Sequence, residues 1–144
     1  YGVDVDIARF YNVFGPGEDV SDPINGNVIG IWRYNINNNI PLKIVGDGEQ
    51  KRDFTHVYDI VDGLIKISDA ILPHEDAWEL GSGTNISIND LAIMFKERSG
   101  CEIEYIADQR GNYRETLNTN TDAYDRLGWT AERRVIYHIE SLGL

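Results

Sequence analysis

The sequence predicts an α/β fold, and three observations carry that prediction. Short apolar runs bounded by glycine, proline or asparagine alternate along the chain with stretches of helical periodicity. The helical stretches open and close on capping residues, as where Ser87 is followed three residues on by Asp90 and the same segment stops at Gly100. The 144 residues, 42% of them hydrophobic, are one domain's length with enough apolar material for a core.

In order, residues 3–10 (VDVDIARF) are expected to form a buried strand, broken by Asn12 and Gly15-Pro16-Gly17. Read on its residues alone, RFYNVFGPG is a strand entering a turn that the Asn12 side chain can hold, with Arg9 pairing behind it. After the polar loop EDVSDPING a helix is expected over residues 27–36. Val28, Ile29, Trp32 and Ile36 share its apolar face, and Asn27 is suited to cap it. Residues 41–45 (PLKIV) read as a short strand.

That strand delivers the chain to residues 46–62, GDGEQKRDFTHVYDIVD, where a tight turn, a basic pair and a helix onset crowd together. Val57, Ile60, Val61, Leu64 and Ile71 recur at helical spacing, with Asp59 in the first turn and His56 as a cap or packing residue at the entrance. An arginine just before a helix mouth suits an anion, because the guanidinium gives two parallel charge-assisted bonds and the helix end adds free N–H groups. Arg52 holds that place. The alternative is that Arg52 braces a surface turn by pairing with Asp47, Glu49 or Asp53.

Residues 77–80 (AWEL) read as a strand turned by GSGTN into the helix that Ser87 opens. The GSG run lies between strand and helix, but it lacks the length and the lysine of a phosphate loop. Residues 102–107 read as a strand, with Cys101 packing at its start. A short helix follows over residues 121–127, stopped by Gly128, with Trp129 in the core. The last helix is expected from Thr130 onwards, turning Val135, Ile136, Ile139 and Leu142 inward and Arg133 and Arg134 to solvent.

The net charge of −11 argues against nucleic acid and anionic membranes as partners. It does not argue against a small anionic substrate, since a few arginines in a cleft set the potential locally. No run approaches the roughly 18 apolar residues of a membrane span. The lone Cys101 excludes an internal disulfide and fits a reducing, cytoplasmic setting. His56, His74 and His138 show no ligand spacing, so no metal is expected. The chain opens on tyrosine with a strand signal almost at once, so it is expected to be a piece of a longer protein.

Three blocks, RFYNVFGPG, GDGEQKRDFTHVYD and GNYRETL through LGW, run in order over nearly the whole chain. Together they resemble the substrate-domain signature of the extended short-chain dehydrogenase/reductases, the NAD-dependent nucleotide-sugar epimerases and dehydratases. The resemblance implies the C-terminal part of a Rossmann-type enzyme, with residues 1–144 mostly its smaller substrate-binding α/β domain. It implies that Arg52 grips the diphosphate of a nucleotide sugar, that Asn12 contacts diphosphate or sugar, that Asn27 touches the nucleotide, and that Tyr11 walls the cofactor side near the nicotinamide. Gln109 stands where the family places a second phosphate-binding arginine, which leaves its neighbour Arg110, or Arg114, to serve; Asn112 and Thr119 replace two aspartates of the pattern.

The sequence has neither GxxGxxG to seat a dinucleotide nor a Tyr-x-x-x-Lys pair to move the proton. The resemblance therefore implies no catalytic residue in this chain and an N-terminal, NAD-binding part outside it. The implied activity is epimerisation by transient oxidation of a sugar carbon, with dehydratase, reductase or decarboxylase chemistry, or a non-catalytic binding module, as the alternatives. The strands at residues 5–10 and 78–80 would then expose an apolar surface that drives self-association or leaves those segments disordered.

Overall fold

The structure, a computed structural model, describes residues 2–3, 5–21, 26–71 and 73–144. Residue 4 of the expected first strand and residues 22–25 of the polar loop lie outside these. Twelve elements follow in chain order: β1 (Ala8–Phe10), β2 (Asn12–Phe14), α1 (Val28–Asn37), β3 (Leu42–Val45), β4 (Lys51–His56), α2 (Val57–Ser68), β5 (Trp78–Leu80), β6 (Asn85–Ser87), α3 (Ile88–Ser99), β7 (Ile103–Ile106), α4 (Asp122–Leu127) and α5 (Val135–Ser141). The strands form three small sheets. β1 runs parallel to β5, β3 runs parallel to β7, and β4 lies between a parallel β2 and an antiparallel β6. The α/β reading holds.

Two hydrophobic cores result. In the larger, Phe14, Trp32, Leu42, Ile44, Phe54 and Phe95 join β2, β3 and β4 to α1 and α3, and Ile139 of α5 closes it. In the smaller, Ile60 and Ile67 of α2 meet Trp78 and Leu80 of β5 and Trp129 beyond α4. The sequence-local caps are as read. Ser87 accepts from the Asp90 amide, His56 from the Tyr58 amide, and Gly100 and Gly128 end their helices in the left-handed region.

Four expectations are corrected. The first strand is not buried over residues 3–10. Among the described residues only Ala8–Phe10 pairs, with β5 as its one neighbour, and Val3, Val5, Ile7 and Phe10 stay exposed. Residues 51–56 form a central strand rather than a helix approach, so Arg52 sits within β4 and not at the mouth of α2. On α2 the buried face is Asp59, Ile60, Gly63 and Ile67, whereas Val61 and Leu64 are exposed and Ile71 lies beyond the helix in solvent. The last helix is only seven residues long, and Arg133 does not face solvent freely: it pairs with the buried Asp59 and with Asp62 at 3.1 Å.

Asp59 therefore does more than suit a helix dipole. Its carboxylate also accepts the backbone N–H groups of Glu132 (3.1 Å) and Arg133 (2.9 Å), and its carbonyl takes the Trp129 indole N–H at 2.9 Å. These bonds tie the segment after α4 to α2. The GSG loop likewise has an occupant. Asp53, fully buried on β4, accepts from the Ser82 amide and hydroxyl, the Gly83 amide and the Asn118 amide, at 2.6 to 3.0 Å. The loop cradles a carboxylate of its own chain, not a phosphate.

Candidate functional site

Side chains alternate across a strand, so Arg52, Phe54 and His56 of β4 project to one side. The register places Asn12 beside Phe54 and Phe14 beside His56 on β2, and Ile86 beside Arg52 on β6. Phe54 and Phe14 meet edge to face and plug the large core, which leaves Arg52 at its rim. There Arg52 lines a cavity of about 360 Å³ with Phe54, Ile86, Met94, Val135 and Arg134.

No carboxylate satisfies Arg52. Its Nη1 donates to the Lys51 carbonyl (2.9 Å) and its Nη2 to Asn112 Oδ1 (2.8 Å), and no ion pair involves it among the described residues. The three acids that could have braced it are engaged elsewhere: Asp47 with Arg114 at 2.7 Å, Glu49 with Asn89 at 2.7 Å, and Asp53 with its cradle. Burial pulls the Arg52 guanidinium below the ordinary arginine value, and no acid offsets it. A half-buried cation paired only with neutral oxygens is the group that an anion would relieve.

Asn12 belongs to the same neighbourhood. Its amide donates to the Asp53 carbonyl (2.9 Å), one residue from Arg52, and to Thr116 Oγ1 (3.2 Å). The segment from Asn112 to Thr116 runs along β4 by Lys51 N–H to Arg114 C=O (2.9 Å) and Thr116 N–H to Lys51 C=O (3.1 Å). Arg110 stands exposed in the turn just before that segment, closed by the Asn112 amide on the Gln109 carbonyl at 3.2 Å. Arg114 points instead at Asp47 in an exposed pair.

Asn27 and Tyr11 stand apart from this group. Asn27 caps α1, with Oδ1 accepting the Gly30 amide (2.8 Å) and Nδ2 donating to the Val13 carbonyl (3.0 Å) and Glu18 (3.3 Å). Its amide is spent on the fold, the capping role that its position in the sequence also allowed. Tyr11, between β1 and β2, lies against Gly81, where a Cβ would come within 2.7 Å of its ring. Burial, then the nearby Glu79, raises the Tyr11 hydroxyl above the usual tyrosine value.

Arg134 is the residue that sequence reading missed. Two adjacent arginines before a short helix look like solvated charge, and nothing in their spacing marks one of them. Only the tertiary fold brings Arg134 to the Arg52 cavity, where its Nη1 donates to Thr84 Oγ1 at 3.1 Å.

The geometry defines an α/β unit with an arginine that has no ion pair among the described residues at a core rim, and comparison with known proteins names the family. The NAD dependent epimerase/dehydratase family matches residues 1–81. The chain is 30% identical to UDP-glucose 4-epimerase of Bacillus subtilis over 90% of its length and 43% of the relative's. It is 29% identical to UDP-glucuronic acid decarboxylase 4 of Arabidopsis thaliana, over 88% and 28%. The crystal structure of UDP-glucose 4-epimerase with UDP-glucose from Thermotoga maritima superposes with a TM-score of 0.84 at 25% identity, over 97% of this chain and 45% of that one.

The chain belongs to the NAD dependent epimerase/dehydratase family and spans less than half the length of these relatives. The relatives' names divide between epimerases and decarboxylases, so family membership fixes no particular reaction. The family uses NAD, but the residues here do not fit its main seat: the GSG loop, expected between a strand and a helix, instead joins β5 to β6, and Asp53 fills it. Among the described residues no helix is long and apolar enough to cross a membrane.

Proposed function

We propose that this chain is the nucleotide-sugar-binding part of an epimerase that transiently oxidises and re-reduces one sugar carbon. The carrying observation is Arg52, a half-buried guanidinium in a cavity with no acid to neutralise it among the described residues. In this reading Arg52 grips the diphosphate through its free N–H edge, and Asn12 and Arg110 flank it from the neighbouring strand and turn. Asn27 serves indirectly, by fixing the start of α1, and Tyr11 walls the side on which the dinucleotide would lie. The cofactor, the hydride and the proton-transfer pair belong to a part of the enzyme outside these residues. The UDP-sugar names of the relatives support uridine as the base.

The test is calorimetric titration of UDP-glucose into the purified chain and into Arg52→Ala. Loss of a charge-assisted pair to phosphate should weaken binding about 10–100-fold. The same samples given NAD should form no product. Equal affinity for both proteins, or turnover by the chain alone, would refute the assignment.

A further inference from the structure

Resting on that reading, we infer that Arg134, at the entrance to α5, is the second cation of the anion site and takes the phosphoryl group that Arg52 does not reach. Twenty-four acidic side chains outnumber thirteen lysines and arginines, yet the residues lining the Arg52 cavity include two arginines and not one carboxylate. The remaining lining is apolar or neutral: Phe54, Ile86, Met94, Val135 and Ile136 on the walls, and Ser82, Thr84 and Asn85 at the mouth. In an acidic protein, a pair of cations left without acids among the described residues needs a reason.

Six of the other seven arginines show what the fold does when it has none to offer; the seventh, Arg110, stands exposed in its turn with no ion pair among the described residues. Arg9 takes Asp76 and Glu79, Arg33 takes Glu18, Arg98 takes Glu140, Arg114 takes Asp47, and Arg133 takes Asp59 and Asp62. Arg126 lies over the Trp78 ring at 4.6 Å. Arg134 has Arg133 as its chain neighbour, close to two carboxylates, and still turns away to a neutral hydroxyl on the loop before β6. That hydroxyl positions the guanidinium without neutralising it. Two such cations on one cavity match a ligand bearing two linked negative groups, a diphosphate, better than a single phosphate or a carboxylate.

The experiment compares UDP with UMP on the full chain by calorimetry, for the unchanged protein, Arg134→Ala, Arg134→Lys, Arg52→Ala and Arg110→Ala. Arg134→Ala is expected to weaken UDP about tenfold, leave UMP within about twofold, and melt at the same temperature as the parent, since the side chain is exposed. Arg134→Lys should recover part of the loss by restoring charge without the fork. If Arg134→Ala binds UDP like the parent while Arg52→Ala does not, Arg134 is no part of the site and the reading of Arg52 survives; an equal loss for UDP and UMP also overturns the assignment to the second phosphoryl group. Full UDP affinity in Arg52→Ala, or no UDP binding by the unchanged chain, removes the underlying reading and this inference together.

Discussion

Two charged neighbours in the sequence, Arg52 and Asp53, point to opposite sides of one strand and meet opposite fates. Asp53 is satisfied by four donors, whereas Arg52 has only neutral oxygens. The sequence marks Arg52 well, because the block around it is specific, but it cannot show where the competing carboxylates go. Asp47 and Glu49 lie within five residues of Arg52, and their partners Arg114 and Asn89 come from 67 and 40 residues away. Asp53 gives the sharpest residue-scale prediction. In Asp53→Asn an amide nitrogen must replace one carboxylate oxygen, and both oxygens face N–H donors, so one end of the cradle becomes donor against donor. Urea unfolding should show a loss of about 3 kcal/mol, the scale expected when buried donors are left without acceptors. An unchanged midpoint and slope would mean that residues 82–83 and 118 are not held by charge.

At the scale of elements, what was legible was local. The caps of α2, α3 and α4 involve partners within about four residues, so short sequence windows contain them. β4 was not legible, since KRDFTH alternates charge with aromatic and polar groups and becomes a strand only through β2 and β6, which come from elsewhere in the chain. The contact between the end of β4 and α5 is of the same tertiary kind and carries a pH dependence. His56 at the start of α2 and His138 on α5 face each other with ring centres 6.0 Å apart, and Phe14 packs on both. Burial depresses both imidazoles, which then repel one another when charged, and Arg133 and Arg33 add to that.

Glu18 and Asp59 oppose these effects. Glu18, however, stands 3.9 Å from His138 Nε2, too far for a hydrogen bond, and that nitrogen has no other partner among the described residues. With folded values below the unfolded one near 6.5, the unfolded chain binds more protons as pH falls through that value. Stability from these groups is intact above about pH 6.5 and is lost progressively below it. Thermal melts from pH 7.5 to 5 should show this fall, and His138→Gln should flatten it. A slope unaffected by the substitution would assign acid sensitivity to other groups.

The whole molecule is one-sided at its first sheet. β5 pairs with β1 along one edge, and the other edge of β1 has no strand beside it among the described residues. Next to that edge Val5, Ile7 and Phe10 are 69%, 52% and 49% exposed. The companion expectation for β5 fails, because Trp78 and Leu80 are wholly buried under α2 and the Trp129 segment, so the apolar surface belongs to the N-terminal strand alone. An open edge with exposed apolar side chains is a template for pairing, and a second copy of the chain offers the same edge. Charge opposes this association, since each copy carries −11, so it should strengthen as salt screens the repulsion. Sedimentation velocity over a range of concentrations at low and at about 0.5 M salt should show a reversible dimer favoured by salt. Ile7→Asp with Phe10→Asp places like charges on the edge itself and should return the protein to monomer without lowering its melting temperature, because neither side chain is part of a core. A monomer at every concentration and salt level would mean that the edge is not sticky enough to pair, and the self-association expected from its exposure would have to be given up.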